Sequence, residues 1–203
     1  MHFSWLGGTA IKIQTKHEGK DVTVVFDPYR PKQGGFPRSL APDIALFTRG
    51  DAGSVTLSGN PFSLSTPGEC ETKGVLITAA PGRTPGTTVL RVDAEDITVG
   101  HLGLISETPT NEALDMLAGV DVLCLPVGAK EALSSEVAMK IVSIVEPRII
   151  IPMAFKSDND PSAGTASEFL KEMGSAVKPE KKAILKKKDL PQEETQAVLL
   201  EKE

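Results

Sequence analysis

The sequence predicts an α/β protein in which a strand-rich first half is followed by alternating strands and helices. The first half contains short, branched apolar runs that are separated by turn residues and lack helical spacing. These predicted strands span 10–14, 22–26, 44–47, 75–79, 89–92 and 97–99. The second half alternates the two element types, which is typical of helices packed on a sheet. We expect one domain covering residues 1–203.

Three helices and two buried strands are predicted in the second half. Helix 136–145 has apolar residues at helical spacing after the candidate caps Ser134 and Ser135. Thr165 and Glu168 have capping-box spacing at the start of another helix. The remaining expected elements are helix 111–118, strand 122–127, strand 149–153, helix 166–173 and a last strand within 190–200, after a turn at Pro191.

Composition and charge favour a soluble globular protein that does not bind nucleic acid. The 203 residues are 40% hydrophobic and 24% charged, and the net charge is −5. An acidic balance opposes affinity that depends on neutralising phosphates. Segment 181–188 is rich in lysine; a solvated face is the favoured interpretation, and an anion site is the alternative.

The cysteines and the first residues predict a cytoplasmic location. Cys70 and Cys124 lie inside apolar or strand-like runs, which favours buried free thiols over a disulfide, with metal ligation less favoured still. Residues 1–14 lack the features of a signal peptide, and no apolar run approaches the length of a membrane span. We expect no membrane partner.

A series of short motifs occurs in a characteristic order along nearly the whole chain. They are Trp5-Leu6-Gly7, Asp27-Pro28, Thr48-Arg49-Gly50-Asp51-Ala52-Gly53-Ser54, Pro67-Gly68-Glu69, Lys73-Gly74-Val75, His101-Leu102-Gly103, Val120-Asp121-Val122-Leu123, Pro126-Val127-Gly128 and Ile151-Pro152-Met153. In this order the chain resembles the metallo-β-lactamase superfamily, especially its short branch similar to the L-ascorbate-6-phosphate lactonases. The resemblance implies a four-layer αββα sandwich of two mixed β-sheets flanked by helices.

The resemblance also implies a two-metal hydrolytic site, and here the sequence departs from the family. Members carry a His-x-His-x-Asp-His loop, a further histidine, a His-Leu-Gly-Asp segment and an Ile-Pro-Met-His segment, which hold two ions about 3.5–4 Å apart. The corresponding positions, called the mapped ligand positions below, are Arg49, Asp51, Gly53, Ser54, Leu104 and Ala154. Segment 79–87, where the further histidine is expected, contains none.

These replacements predict a degenerate metal site. The chain has only three histidines, His2, His17 and His101, and Arg49 places a permanent cation where two dications would sit. We therefore expect no metal, no cofactor and no catalytic residue carried over from the family.

Three residues near the motifs remain possible pocket residues. Asp27 and Glu69 are interpreted first as turn residues, although Asp27 could point toward the family's pocket. His101 is interpreted as a hydrogen-bonded packing residue rather than a ligand.

Arg49 has three interpretations. It could pair with Asp51 or Asp27 and fill the former site, or both loop charges could be solvated. Alternatively, the loop from Arg49 to Ser54 could cradle an anion, although no amphipathic helix follows it.

Two functions follow. The leading hypothesis is a pseudoenzyme, a non-catalytic scaffold, oligomer or partner-binding subunit whose protein partner the sequence does not identify. The alternative is a hydrolase with a remodelled site that uses Asp27, Asp51, Glu69 or His101 with one metal or none.

Overall fold

Two mixed β-sheets form the centre of the molecule in a computed structural model that describes residues 1–203. The first sheet contains β1 (His2–Gly7), β2 (Ala10–His17), β3 (Lys20–Phe26), β4 (Ile44–Leu46), β5 (Phe62–Leu64) and β12 (Ala183–Ile184), in the order β12-β1-β2-β3-β4-β5. The second contains β6 (Gly68–Thr72), β7 (Val75–Pro81), β8 (Thr88–Ala94), β9 (Ile97–His101), β10 (Val122–Pro126), β11 (Ile149–Met153) and β13 (Gln196–Ala197), in the order β13-β11-β10-β9-β8-β7-β6. This arrangement confirms the predicted metallo-β-lactamase-like sandwich.

Both sheets change from antiparallel to parallel pairing partway across. In the first sheet β1, β2 and β3 form antiparallel pairs, whereas β4 runs parallel to β3 and β5 runs parallel to β4. In the second sheet β6 to β9 are antiparallel neighbours, and β10, β11 and β13 continue in parallel. Parallel strands place the loops that follow them at one edge, which is where the functional motifs occur.

The main core fills the space between the sheets. Alternate residues of the strands point inward, so that a cluster of 26 buried residues joins Phe3, Trp5 and Phe26 of the first sheet to Leu90 and Ile151 of the second. These five side chains are each at most 1% exposed. Burial of this inner face is what fixes the two sheets against each other.

Three helices cover the outer face of the second sheet. They are α1 (Asn111–Leu117), α2 (Ser135–Val145) and α3 (Ser167–Glu172), and their apolar faces join a second buried cluster with β10 and β11. The outer face of the first sheet is different, because Leu6, Ala10 and Val25 pack there against loop residues such as Leu40. The fourth layer of the sandwich is therefore loop rather than helix.

The helix caps agree with the sequence at α2 but not at α3. Ser134 caps α2 by accepting a hydrogen bond from the Val137 N–H, as predicted. The expected capping box of Thr165 and Glu168 does not form, because α3 starts one residue later, after Ala166, whose side chain has no hydroxyl.

The C-terminal segment contains less strand than expected. Within 190–200 only Gln196–Ala197 pairs with β11 as a strand, because Pro191 and the polar residues after it form an irregular loop. None of the helices is both long enough and apolar enough to cross a bilayer. Both cysteines are free thiols; Cys124 is fully buried in β10 and Cys70 is partly exposed in β6.

Candidate functional site

The loops that carry the family motifs meet at one edge of the two sheets. The Thr88 N–H donates to the Thr48 carbonyl at 2.8 Å, and the Ala154 N–H donates to the Gly8 carbonyl at 2.8 Å. A Cβ atom at Gly103, which has a φ of +67°, would lie 2.5 Å from the Thr48 hydroxyl. The motif order in the sequence thus corresponds to a real meeting of strand ends from both sheets.

A cleft at this edge is centred on Arg49, and we call it the Arg49 cleft. It consists of a cavity of about 160 Å³ and an adjoining cavity of about 420 Å³, both lined by Arg49, Asn159 and Asp160. Thr9 and Asp27 line only the smaller cavity. Lys32, Leu104 and Lys130 line only the larger one.

Asp27 is a buried carboxylate that lies next to the cleft and is held by Thr48. It follows β3 with a φ of +47° and is 1% exposed. Its Oδ1 accepts a hydrogen bond from the Thr48 N–H, and its Oδ2 accepts one from the Thr48 hydroxyl, both at 2.7 Å. The residue therefore makes a turn, as predicted, and also lines the smaller cavity.

His101 is fully buried, and both of its ring nitrogens are hydrogen-bonded. The Gly103 N–H donates to Nδ1 at 3.1 Å, so the proton lies on Nε2, which donates to the Thr9 carbonyl at 2.8 Å. The ring stacks on Phe26, and burial lowers the pKa of His101 below its ordinary value, which keeps the imidazole neutral. Neither nitrogen is free to bind a metal.

Arg49 stacks on Tyr29 rather than pairing with an acid. Its guanidinium carbon lies 4.5 Å from the centre of the Tyr29 ring. None of the ion pairs in the structure includes Arg49, so the predicted pairing with Asp51 or Asp27 is wrong. The Arg49 guanidinium lies over the Tyr29 ring, while Asp27 is buried and hydrogen-bonded to Thr48, and Asp51 is exposed on the loop.

Tyr29 anchors the loop after Thr48. Its hydroxyl accepts from the Arg49 N–H at 2.8 Å and donates to the Gly50 carbonyl at 2.9 Å. Burial, reinforced by the negative charge of Asp27, raises the pKa of Tyr29 to about 12. The sequence analysis missed this residue, although its position two residues after Asp27 was the available signal.

The other loop positions do not line the cleft. Ser54 pairs with Tyr29 in a short β-bridge, and the Gly53 carbonyl accepts from the Arg30 N–H. Neither residue lines the Arg49 cleft, and Asp51 does not line it either. The predicted anion cradle from Arg49 to Ser54 is therefore not assembled as one pocket.

Glu69 is not the turn residue that the sequence predicted. It is an exposed residue within β6, paired with Thr78, rather than a turn residue, and it lines neither cavity of the cleft. The strand forms because Gly68–Thr72 adds to the edge of the second sheet, where polar side chains remain in water.

The residues of this edge do not fit the two metal ions implied by the fold. Leu104 and Ala154 have apolar side chains, Gly53 has none, and Arg49 is a cation. No group of three or more His, Cys, Asp or Glu side chains lies close enough together to hold a metal ion. Among the mapped ligand positions only Asp51 and Ser54 carry an oxygen donor and none is a histidine, so these residues do not form the histidine-rich set that holds two ions in the family.

Comparison with known proteins agrees with the two-sheet fold and the order of its motifs. The profile of the Beta-lactamase superfamily domain matches residues 2–154, which is most of the chain. The chain belongs to this superfamily.

Its relatives include proteins named as hydrolases. A UPF0173 metal-dependent hydrolase from Methanopyrus kandleri is 26% identical over 199 residues, covering 76% of this chain and 84% of the relative. The crystal structure of a protein from Thermotoga maritima, assigned as a zinc-dependent hydrolase of the metallo-β-lactamase superfamily, has a TM-score of 0.81 at 24% identity and covers 98% of this chain and 99% of its own. Igni18, a metallo hydrolase from Ignicoccus hospitalis, has a TM-score of 0.61 at 14% identity, covering 84% of this chain and 89% of its own. The structural likenesses establish the fold.

Proposed function

We propose that this protein is a non-catalytic member of the superfamily that has lost the two-metal site and acts by binding. The observation that carries the proposal is the set of side chains at the mapped ligand positions, which offers almost no metal donors. Loss of one ligand could be repaired by a neighbouring donor. Loss at Gly53, Ser54, Leu104 and Ala154 together removes the donors that would hold one of the two ions.

The two remaining candidates for chemistry support the same proposal. Both oxygens of Asp27 accept hydrogen bonds from Thr48, and both nitrogens of His101 are hydrogen-bonded inside the protein. A general base needs a free acceptor within reach of its substrate. His101 has no free acceptor, whereas the two bonds from Thr48 hold the Asp27 carboxylate in place and leave it further acceptor capacity. In the proposed function, the surfaces and the cleft act in an oligomer or with a protein partner.

A hydrolase with a remodelled site is the second candidate. The names of the relatives favour it, and so does the presence of a cleft at the family's catalytic edge. In this version Asp27 would be the essential group, because it lines the cleft whereas Asp51 and Glu69 do not.

Hydrolysis assays separate the two candidates. We would measure turnover of chromogenic phosphate esters, carboxylic esters and lactones by the purified protein, with added Zn²⁺ or Mn²⁺ and with a chelator. We expect the hydrolysis rates with protein to equal the rates in buffer alone under every condition. Turnover abolished by the chelator would establish a metal-dependent hydrolase. Turnover that resists the chelator but disappears in Asp27→Asn would establish the remodelled enzyme.

A further inference from the structure

Four cations of the Arg49 cleft have no acidic partner. They are Arg30, Lys32, Arg49 and Lys130. Nine other lysines and arginines of the chain take part in ion pairs, but none of these four does. In a protein with a net charge of −5, four unpaired cations in one concavity are an unusual concentration of positive charge.

Three acids, Asp27, Asp160 and Glu131, line the same cleft and lower the formal charge of its side chains from +4 to +1. Asp27 is enclosed by its two hydrogen bonds with Thr48. The Oδ1 atom of Asp160 accepts from the Ser162 hydroxyl and from the N–H groups of Ser162 and Ala163, which fixes this carboxylate to its own turn. Only Glu131, an exposed residue at the rim of the larger cavity, is unengaged.

The orientation of Arg49 leaves its donors available. The Tyr29 ring covers one face of the guanidinium, whereas the N–H groups of a guanidinium point outward in its plane. The side chain of Arg49 makes no hydrogen bond within the protein, and its backbone is held by the Tyr29 hydroxyl. An oxyanion can therefore accept two parallel hydrogen bonds from a group that is already positioned.

A hydroxyl of the smaller cavity adds a second polar group. Thr9 lines this cavity together with Arg49, and its carbonyl binds His101. The Thr9 hydroxyl makes no hydrogen bond within the protein, and it is not one of the buried side-chain atoms without a partner, which are Thr15 Oγ1 and Asn159 Oδ1. It is therefore accessible from the cavity and can donate a hydrogen bond to an oxyanion there.

We propose that the Arg49 cleft is a binding site for a small anion bearing a phosphate or carboxylate group, held by Arg49 with help from the Thr9 hydroxyl. The proposal rests on the proposed non-catalytic function, because a site that kept two metal ions would present dications at this edge. The arginine and its neighbouring cations then provide the positive charge that metal ions provide in the family's hydrolases.

Calorimetric titration of metal-free protein tests the proposal. The titrants are inorganic phosphate, glycerol 3-phosphate and malonate, each at up to ~10 mM, a range that detects millimolar dissociation constants. Comparison of the two phosphates with malonate shows whether the site prefers a phosphate or a carboxylate group. We expect saturable binding of at least one of these ligands. Arg49→Gln should weaken it at least tenfold, and Arg49→Lys, which keeps the charge but not the planar fork, should weaken it by a smaller factor.

Arg38→Gln is the matched control, because Arg38 is exposed on the loop that precedes β4 and lines neither cavity. Its binding should equal that of the parent, and thermal unfolding should show that all variants are folded. Absence of binding by the metal-free parent, or equal losses in Arg49→Gln and Arg38→Gln, would overturn this inference alone. Binding that appears only after addition of zinc or manganese would overturn the proposed function as well.

Discussion

At the scale of one residue, Tyr29 organises the loop at this edge of the sheets. Its hydroxyl holds the loop after Thr48, and its ring supports the guanidinium of Arg49. These contacts need the neutral phenol, because a phenolate could not donate to the Gly50 carbonyl.

The titration of Tyr29 provides the first prediction. It is the single tyrosine of the chain, so the ultraviolet absorbance of tyrosinate reports this residue alone. Native protein should ionise with a pKa of about 12, whereas denatured protein should ionise near the ordinary value of ~10. Because the folded state keeps its proton over this interval, stability should fall as the pH rises above ~10 and level off near the folded pKa. A native midpoint near that of the denatured chain would contradict the described contacts.

The Thr48 hydroxyl provides the second prediction. Thr48→Val leaves one oxygen of buried Asp27 without its donor, so the free energy of unfolding should fall by about 2–3 kcal/mol. Urea denaturation measures the change. Thr56→Val, at an exposed position, is the control and should alter stability by less than about 0.5 kcal/mol. Equal effects of the two substitutions would show that the Asp27 hydrogen bond is not important for stability.

At the scale of elements, the lysine-rich segment has a structural role for one of its members. Asp121, just before β10, is 2% exposed, and its oxygens accept hydrogen bonds from Lys187 at 2.8 and 2.9 Å and from the Thr98 N–H at 2.9 Å. Arg148 lies 3.5 Å away. The short 3₁₀ turn Lys187–Asp189 is thereby attached to the second sheet. The other lysines of segment 181–188 are exposed, as the favoured interpretation predicted.

Exchange of single lysines tests this attachment. Lys187→Met should lower the free energy of unfolding by about 1–2 kcal/mol, because Asp121 loses its nearest cation while Arg148 remains. This loss of stability is smaller than for a fully buried pair because the Lys187 side chain is 47% exposed and its charge is screened by solvent. Lys188→Met removes the same charge at an adjacent exposed position and should leave stability unchanged. A reversed order of the two effects would refute the attachment.

The sequence predicted elements where apolar residues are branched or periodic and missed those that depend on neighbours. Strands β2, β3, β4 and β7 to β11 and all three helices were located, with ends that differ by a few residues because polar residues extend several of the strands. The short β5 and the polar edge strand β6 were missed, since they are strands only because β4 and β7 lie beside them. The strand β1, which ends at Gly7, was also missed.

The interactions of the candidate site could not be predicted from the sequence. Arg49 and Leu104 line one cavity, and the backbone of Ala154 is hydrogen-bonded to Gly8 and Ala129, which line the cleft. The sequence could not show that Tyr29 lies beneath Arg49 or that Thr48 satisfies Asp27, because both contacts depend on the packing of loops from different strands. For the same reason, the sequence could not show that Lys32 and Lys130 lie in the cleft without an acidic partner.

At the scale of the whole molecule, the family's scaffold persists around changed ligand positions. The combined change Gly53→Asp, Ser54→His, Leu104→Asp and Ala154→His should create a site with two histidines and two carboxylates, a set suited to zinc or manganese. Calorimetry should then show about one bound ion per chain where the parent binds none.

The backbone favours some of these replacements more than others. Gly53 has a φ of +79°, so an aspartate there enters a left-handed conformation at a cost of roughly 1–2 kcal/mol, whereas Ala154, with a φ of +58°, already has a Cβ atom in that conformation. Neither Ser54 nor Gly53 lines the cleft; Ser54 pairs with Tyr29, and the Gly53 carbonyl accepts from the Arg30 N–H. A folded variant with no gain in metal affinity would mean that the loop has shifted from the family's register. The double change Leu104→Asp and Ala154→His supplies only two ligands, so we expect no gain in metal affinity from it.

Metal content tests the central claim most directly. The protein should be purified without chelators, and zinc, manganese and iron should be quantified by mass spectrometry against the protein concentration. The account predicts far less than one atom of these metals per chain, including after incubation with excess metal and removal of the unbound fraction. About two atoms per chain, removable by a chelator, would contradict it and would establish that these positions or others still form the hydrolases' metal site.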